Sequence, residues 1–473
     1  MSRKKTLILF TIITAIAFFL RWLFLINDSF TAYEFYFIDI AKSDFSHLMG
    51  KVTNFTHHPV FLYILHFWIG VFKISEFSTK FLPLLFGVLL VVAIPLTAFC
   101  GHDLFDKKSA LLTAFMVAFS PIHICFSRQV SPYSLFVLLS FLSNISFAIL
   151  LKKTNFRHSM LYFFSMLFTI YSHMGGFVIL FIHVLFILCT KQHIKKLLLI
   201  QGMLIISYLP WGICALPGQI SHYLSAPGLT CMAKWDPPLP TPHTILKTFL
   251  DYAAGSYLLL FLFLFIAGYG LLKNKKNINS TLFLMAWMIV PPLVFYLISI
   301  FIVSIYKIQA LFFISLPLYI LVANGLTRFN GVVRAVFVLI IACVMCIKLF
   351  GTSFYHPQED WKGLLSAVEK QSQSDVVIIY PPGIKNVVDY YFRRKFYTVD
   401  NVKDIMKVLS MKEATGRLFL VLRKEGDSNQ AILDYMRDSN YNLVFMRYYR
   451  SFYSPGGGNP LSYCLFVRND KPL

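Results

Sequence analysis

The chain is built from long apolar stretches cut by short polar ones. A helix needs about 20 apolar residues to cross the hydrocarbon core. Runs of that kind predict about eleven spans: Thr6–Ile26, Thr79–Cys100, Ser109–Phe126, Pro132–Leu151, Ser159–Tyr171, Gly175–Thr190, Leu197–Leu216, Ala254–Leu272, Ser280–Val303, Ile308–Leu326 and Val332–Phe350. Val60–Ile74 is apolar but shorter, and reads either as a short span or as a helix lying at the interface. After Phe350 the pattern changes. Strand-type runs stand at Val376–Tyr380, Arg417–Arg423, Leu443–Tyr449 and Tyr463–Val467, with helical patterns near Trp361–Lys370, Lys385–Arg394 and Asn429–Arg437. Strands alternating with helices predict a small α/β domain. The expected division is a membrane domain over 1–350, holding a first outer loop at 27–59 and a juxtamembrane helix at 60–74, and a C-terminal domain over 351–473. Gly456–Gly458 follows an apolar run without a following helix and reads as a turn rather than a phosphate loop.

Composition agrees with the pattern. The 473 residues are 57% hydrophobic and only 14% charged, with a mean hydropathy of +0.66, against about a quarter charged in soluble domains. The net charge of +21 does not point to nucleic acid, because Lys and Arg fall in short groups between apolar runs, a topogenic pattern. If MSRKK is cytoplasmic and Val60–Ile74 does not cross, the clusters at Lys107–Lys108, Lys152–Arg157, Lys191–Lys196, Lys273–Lys276 and Arg328–Arg334 all fall on the inner side. The C-terminal domain is then extracytoplasmic. Thr6–Ile26 is too long for a typical signal-peptide core and lacks a small-residue cleavage site, so it reads as a retained span. The eight cysteines are scattered. Cys343 and Cys346 have CxxC spacing inside an apolar run without flanking ligands, and read as packing.

This topology gathers the polar features on one face: Asn27–Pro59, Ser127–Tyr133, Tyr171–Gly176, Pro217–Tyr252 and Tyr306–Lys307. Asn27–Pro59 holds Asp28, Glu34, Asp39 and Asp44, whereas no acid occurs between Asp106 and Asp236. Such clustering points to a use for at least one of these carboxylates.

The order of motifs resembles a known family. YEFYF (Tyr33–Phe37), HHPVFLYILHFW (His57–Trp68), SEFSTKFLPLLFG (Ser75–Gly87), SPIHICFSRQVSPYSL (Ser120–Leu135), YSH (Tyr171–His173), YLPW (Tyr208–Trp211) and a segment opening at Glu359–Gly363 follow one another as in bacterial membrane glycosyltransferases of the GT-C fold, of the PMT-like or ArnT-like type (glycosyltransferase families 39 and 83). The resemblance implies a polytopic α-helical membrane enzyme of the bacterial inner membrane with a small C-terminal α/β domain. It would take a sugar from a polyprenyl-phosphate donor and transfer it with inversion to a glycan, lipid or protein acceptor at the outer face. Glu34 then falls at the general-base position, with Asp39 in reserve. His58, held extended by Pro59, would position substrate or phosphate. Arg128 and Lys307 are the cations for a lipid phosphate at headgroup level; the plain alternative for Arg128 is snorkelling. Tyr133 and His173 would line the site, with helix-end packing as their alternative.

The sequence departs from the family pattern at two points. Tyr33 stands where relatives carry a second acid, and Arg128–Ser131 lacks their Glu and Arg. A paired-carboxylate metal site is therefore disfavoured: a divalent metal stays open as an alternative, and no cofactor is assigned with certainty. The competing reading is a catalytically degenerate paralogue or a lipid-linked-sugar transporter, although the apolar span interiors show no polar pathway of the kind transporters use.

Overall fold

The computed structural model describes residues 3–23, 25, 29–54, 58–100, 102–224, 239–273, 278–351, 359–372, 375–410, 417–423, 428–439, 441–449 and 461–468. Two compact units emerge. One comprises Met1–Ile26, Ile40–Ser225 and Asp236–Thr352; the other comprises Asn27–Asp39, Ala226–Trp235 and Ser353–Leu473.

The chain begins with α1 (Arg3–Leu23), α2 (Ala32–Ala41), α3 (Phe45–Asn54), α4 (Pro59–Phe72) and α5 (Glu76–Thr97). It continues with α6 (Lys107–Phe119), α7 (Pro121–Phe126), α8 (Tyr133–Lys152), α9 (Phe156–Ser172), α10 (Gly175–Thr190) and α11 (Ile194–Leu224). After residues outside the described set come α12 (Pro242–Tyr252), α13 (Tyr257–Lys273), α14 (Ile278–Phe301), α15 (Ile308–Leu311), α16 (Ser315–Leu326) and α17 (Gly331–Gly351). Each of the eleven apolar runs is mostly helical over its described residues. Among the described residues seven helices are long and apolar enough to cross a membrane, or eight if α12 and α13, which meet at 85°, count as one broken span.

One expectation needs correction. Ser109–Phe126 is not one helix: it breaks at Ser120, whose extended backbone (ψ 119°) precedes Pro121 at the first position of α7. Proline has no N–H and disfavours a helical residue before it. The stretch expected as the first outer loop, Asn27–Pro59, contains α2 and α3 over most of its described residues.

The helices of the first unit pack through small residues. A Cβ on Gly325 (α16) would meet the Ile266 carbonyl oxygen of α13 at 2.1 Å, and one on Gly270 would meet Gly325 Cα at 2.6 Å. This backbone approach is typical of membrane helix pairs. A polar network crosses α8–α11: Tyr162 OH bonds His183 Nδ1 (2.9 Å), Gln201 Nε2 donates to Tyr162 OH (2.9 Å), and His183 Nε2 bonds Asn144 Oδ1 (3.2 Å). With no water to satisfy such groups in hydrocarbon, they find each other.

In the second unit, α18 (Trp361–Ser372), α19 (Lys385–Tyr391), α20 (Val402–Leu409) and α21 (Ser428–Asp438) accompany a five-stranded sheet in the order β2–β1–β3–β5–β4. The strands are β1 (Val376–Tyr380), β2 (Tyr397–Thr398), β3 (Arg417–Arg423), β4 (Tyr441–Tyr449) and β5 (Leu461–Arg468). β1 runs parallel to β2 and β3, while β5 is antiparallel to both β3 and β4. All of β1 is buried, as for a central strand covered on both faces. Ile378, Leu420, Cys464, Phe466, Ile405 and Met436 share the core beneath it. β2 and α20 were not anticipated, because β2 is only two residues long and α20 only eight. Gly456–Gly458 lies outside the described residues.

Candidate functional site

The second unit positions Glu34. Thr31 is the residue before α2, and Phe35 N–H donates to its carbonyl (3.0 Å). Thr31 N–H donates to Glu34 Oε2 (2.7 Å), and Glu34 N–H donates to Thr31 Oγ1 (3.0 Å). This is a reciprocal capping box in the Thr-x-x-Glu spacing, and Glu34 is fully buried. The carboxylate is therefore held at the N-terminus of α2, where the helix dipole favours negative charge. Asp39, half-buried on the same helix, sits five residues on, about 140° around the axis, so it does not share Glu34's face. Asp44 is exposed and pairs with His47 (2.6 Å), and Asp28 and His57 lie outside the described residues.

A second carboxylate reaches the same helix terminus. Glu359 Oε2 accepts from Ala32 N–H (2.8 Å) and Trp361 Nε1–H (2.7 Å). Its Oε1 accepts from Arg423 Nη2 (2.7 Å) and Nε (3.1 Å). Glu359 is 8% exposed, as is Arg423. The sequence placed Glu359 only as the opening of a motif. Its partner in β3 is 64 residues away, a distance at which no local pattern signals a pair.

The first unit positions the other candidates. His58 is half-buried just before α4, its ring 6.3 Å from Tyr208. Burial pushes its pKa down to about 4 against the opposing pull of a backbone hydrogen bond at Ile170. His58 is thus a neutral hydrogen-bonding group at neutral pH, not a cation. Tyr133 and His173 are brought together, with ring centroids 5.9 Å apart, and His173 Nδ1 accepts from Gly175 N–H (3.0 Å). Arg128 is buried in the turn between α7 and α8. Lys307 is half-buried immediately before α15.

Three further polar groups escaped the sequence reading. Arg21 is fully buried and donates to Ser127 Oγ (3.2 Å) and to the carbonyls of Val117 (3.2 Å) and Ala118 (3.4 Å). Gly87 makes room for it, since a Cβ there would meet Ser127 Oγ at 2.1 Å and Arg21 Nε at 3.0 Å. His123 is buried in α7 and hydrogen-bonded to Ser315 Oγ (3.0 Å). Asp251, half-buried at the end of α12, has a carboxyl pushed up to about 6 by burial, against the lowering effect of Lys247. A carboxylate poised near neutrality is a candidate base. Among the described residues no three His, Cys, Asp or Glu side chains gather in a metal-binding group.

Comparison with known proteins places this architecture. The family model described as dolichyl-phosphate-mannose-protein mannosyltransferase matches residues 56–211, a stretch that includes His58, Arg128, Tyr133 and His173 but neither Glu34 nor Lys307. No curated protein matches the chain. Among solved structures, apo ArnT from Cupriavidus metallidurans is similar at TM-score 0.62 and 11% identity, over 96% of this chain and 97% of that one. The same protein bound to undecaprenyl phosphate gives TM-score 0.60 and 10% identity, over 98% of each chain. The oligosaccharyltransferase AglB from Archaeoglobus fulgidus, in complex with an inhibitory peptide and a dolichol-phosphate, gives TM-score 0.56 and 13% identity over 100% of this chain and 76% of that one. The chain is thus a membrane protein of the GT-C fold, PMT-like in sequence over residues 56–211 and ArnT-like in its fold.

Proposed function

We propose that the protein is an integral membrane glycosyltransferase of the bacterial inner membrane. It moves a sugar from a polyprenyl-phosphate donor to an acceptor hydroxyl at the outer face, with inversion, and Glu34 is the general base. The observation that carries this reading is the buried, oriented carboxylate at the start of α2 in a chain whose fold is shared with proteins solved bound to undecaprenyl phosphate and dolichol-phosphate.

The chemistry asks little of the protein beyond orientation and charge. The donor already carries a phosphate leaving group, so catalysis requires a base on the acceptor hydroxyl, cationic partners for the departing lipid phosphate, and alignment of the two substrates. Arg128 and Lys307 are the proposed phosphate partners, His58 a neutral group that positions substrate or phosphate, and Tyr133 with His173 a lining of the substrate site. The N-terminus and basic connections face the cytoplasm, and the C-terminal unit is extracytoplasmic.

The capping box supplies an alternative job for Glu34, namely closing the N-terminus of α2. Glutamine separates the two roles, because it supports a capping box as glutamate does but cannot accept a proton as a base. The test is transfer from a labelled polyprenyl-phosphate sugar by purified Glu34→Gln protein. Loss of transfer with the fold intact supports the base role, and wild-type turnover would sink it.

A further inference from the structure

We infer that Glu359 is a positioning residue for Glu34, so that the C-terminal α/β unit is part of the transfer machinery. The inference rests on the reading of Glu34 as the base.

Residues 29–35 are gripped at several points by the sheet unit. Glu359 takes the Ala32 N–H, and its own carbonyl accepts from Ser29 Oγ. Phe30 N–H donates to Tyr391 OH (2.8 Å). The rings of Phe30 and Phe35 pack on Tyr390 at 5.4 and 5.2 Å. Two of these holds trace to neighbouring parallel strands: Tyr390 and Tyr391 end the helix that follows β1, and Arg423 is the last residue of β3. β2 lies on one side of β1 and β3 on the other. Such a switch in strand order opens a crevice beyond the carboxyl ends, where open α/β sheets take their ligands. Here Arg423, at the carboxyl end of β3, holds the chain's own segment through Glu359.

Ala32 N–H is one of the donors that a helix leaves unsatisfied in its first turn. By accepting it, Glu359 fixes where α2 begins. Thr31 and Glu34 flank that point, so the orientation of the Glu34 carboxylate depends on it. Arg423 balances the buried Glu359 charge with two charge-assisted bonds, and Trp361 fills the remaining acceptor site. A carboxylate with four donors aimed at it serves as an anchor. Glu359 need not touch substrate to matter, because a displacement of about 1 Å at a reacting group costs about a hundredfold in rate.

The test uses the full chain in lipid nanodiscs, comparing wild type with Glu359→Gln, Arg423→Lys and Trp361→Phe. The expected result for Glu359→Gln is a fall in kcat of about a hundredfold with donor KM within about twofold. Backbone amides of residues 29–35 would exchange faster, and those of the spans would not change. Arg423→Lys keeps the charge and is expected to fall between the two. Trp361→Phe removes one donor and serves if Glu359→Gln fails to fold. Wild-type kcat per folded molecule in Glu359→Gln, or unchanged exchange at 29–35, overturns the inference. Failure of the Glu34 reading looks different: Glu34→Gln would turn over normally, while the exchange measurement would still show whether Glu359 holds α2.

Discussion

Thr31 and Glu34 bond each other twice, backbone to side chain in both directions, at 2.7 and 3.0 Å. The pair gives the most direct experiment on this protein. Glu34→Gln keeps the box and removes the base, so kcat should fall by about 10²–10⁴-fold at an unchanged thermal midpoint. Thr31→Ala does the reverse, costing about 1 kcal/mol of stability with Glu34 still present. A Gln variant that loses stability as well as activity would show that the carboxylate is needed for the fold.

His58 carries a pH signature. Its folded pKa of about 4 lies below the ordinary value of 6.5, so between these values the unfolded chain binds the proton more readily. Stability linked to His58 is therefore level above about pH 6.5 and is lost as pH falls toward 4. Thermal midpoints of wild type and His58→Gln, measured across pH 4–8, should converge in slope at high pH and diverge on acidification. Parallel curves throughout would contradict the assignment.

Asp251 has the opposite sign. Its folded pKa of about 6 stands above the ordinary 3.8, so the folded protein holds the proton more tightly in that window. Stability declines as pH rises from about 4 through 6 and is level beyond. Asp251→Asn should raise the thermal midpoint at pH 7.5 and give no gain at pH 4. If transfer also collapses in that variant, Asp251 is doing chemistry rather than tolerating burial.

The Tyr162–His183 bond (2.9 Å) is expected to hold helices together rather than to move protons. Tyr162→Phe should cost about 0.6 kcal/mol, the average for hydrogen bonds between membrane helices, and at most about 1.7, and leave kcat unchanged. A large drop in turnover without a stability change would assign the network to function.

Close packing at Gly325 gives a stability prediction. Gly325→Ala puts a methyl group 2.1 Å from the Ile266 carbonyl oxygen, so α13 and α16 must separate. A loss of about 1–3 kcal/mol is expected, against near neutrality for Gly268→Ala, whose Cβ meets nothing within 4 Å.

What was legible in the sequence follows from the range of each signal. Spans and strands are written in runs of one polarity, and Val376–Tyr380 and Arg417–Arg423 occupy the residues their patterns mark. Thr31-Ala32-Tyr33-Glu34 was also legible, as a Thr-x-x-Glu box ahead of the apolar run FYFI. The same glutamate is also one of four clustered acids, a signal that points to chemistry rather than to a cap. Glu359 with Arg423, and the burial of Asp251, were not legible, since each depends on side chains that the fold brings from elsewhere. The helix break at Ser120 was written in the Ser-Pro pair but masked by apolar residues on both sides.

That break has a consequence for assembly. In an unbroken helix the Val117 carbonyl would accept from the N–H four residues on, at a proline that has none. Arg21 restores the missing donor there and serves Ala118 as well. A bare carbonyl in hydrocarbon costs several kcal/mol, so the break between α6 and α7 is satisfied only with α1 packed against it. α1 is therefore a structural complement to that break as well as a candidate span: it carries the donor that Pro121 lacks.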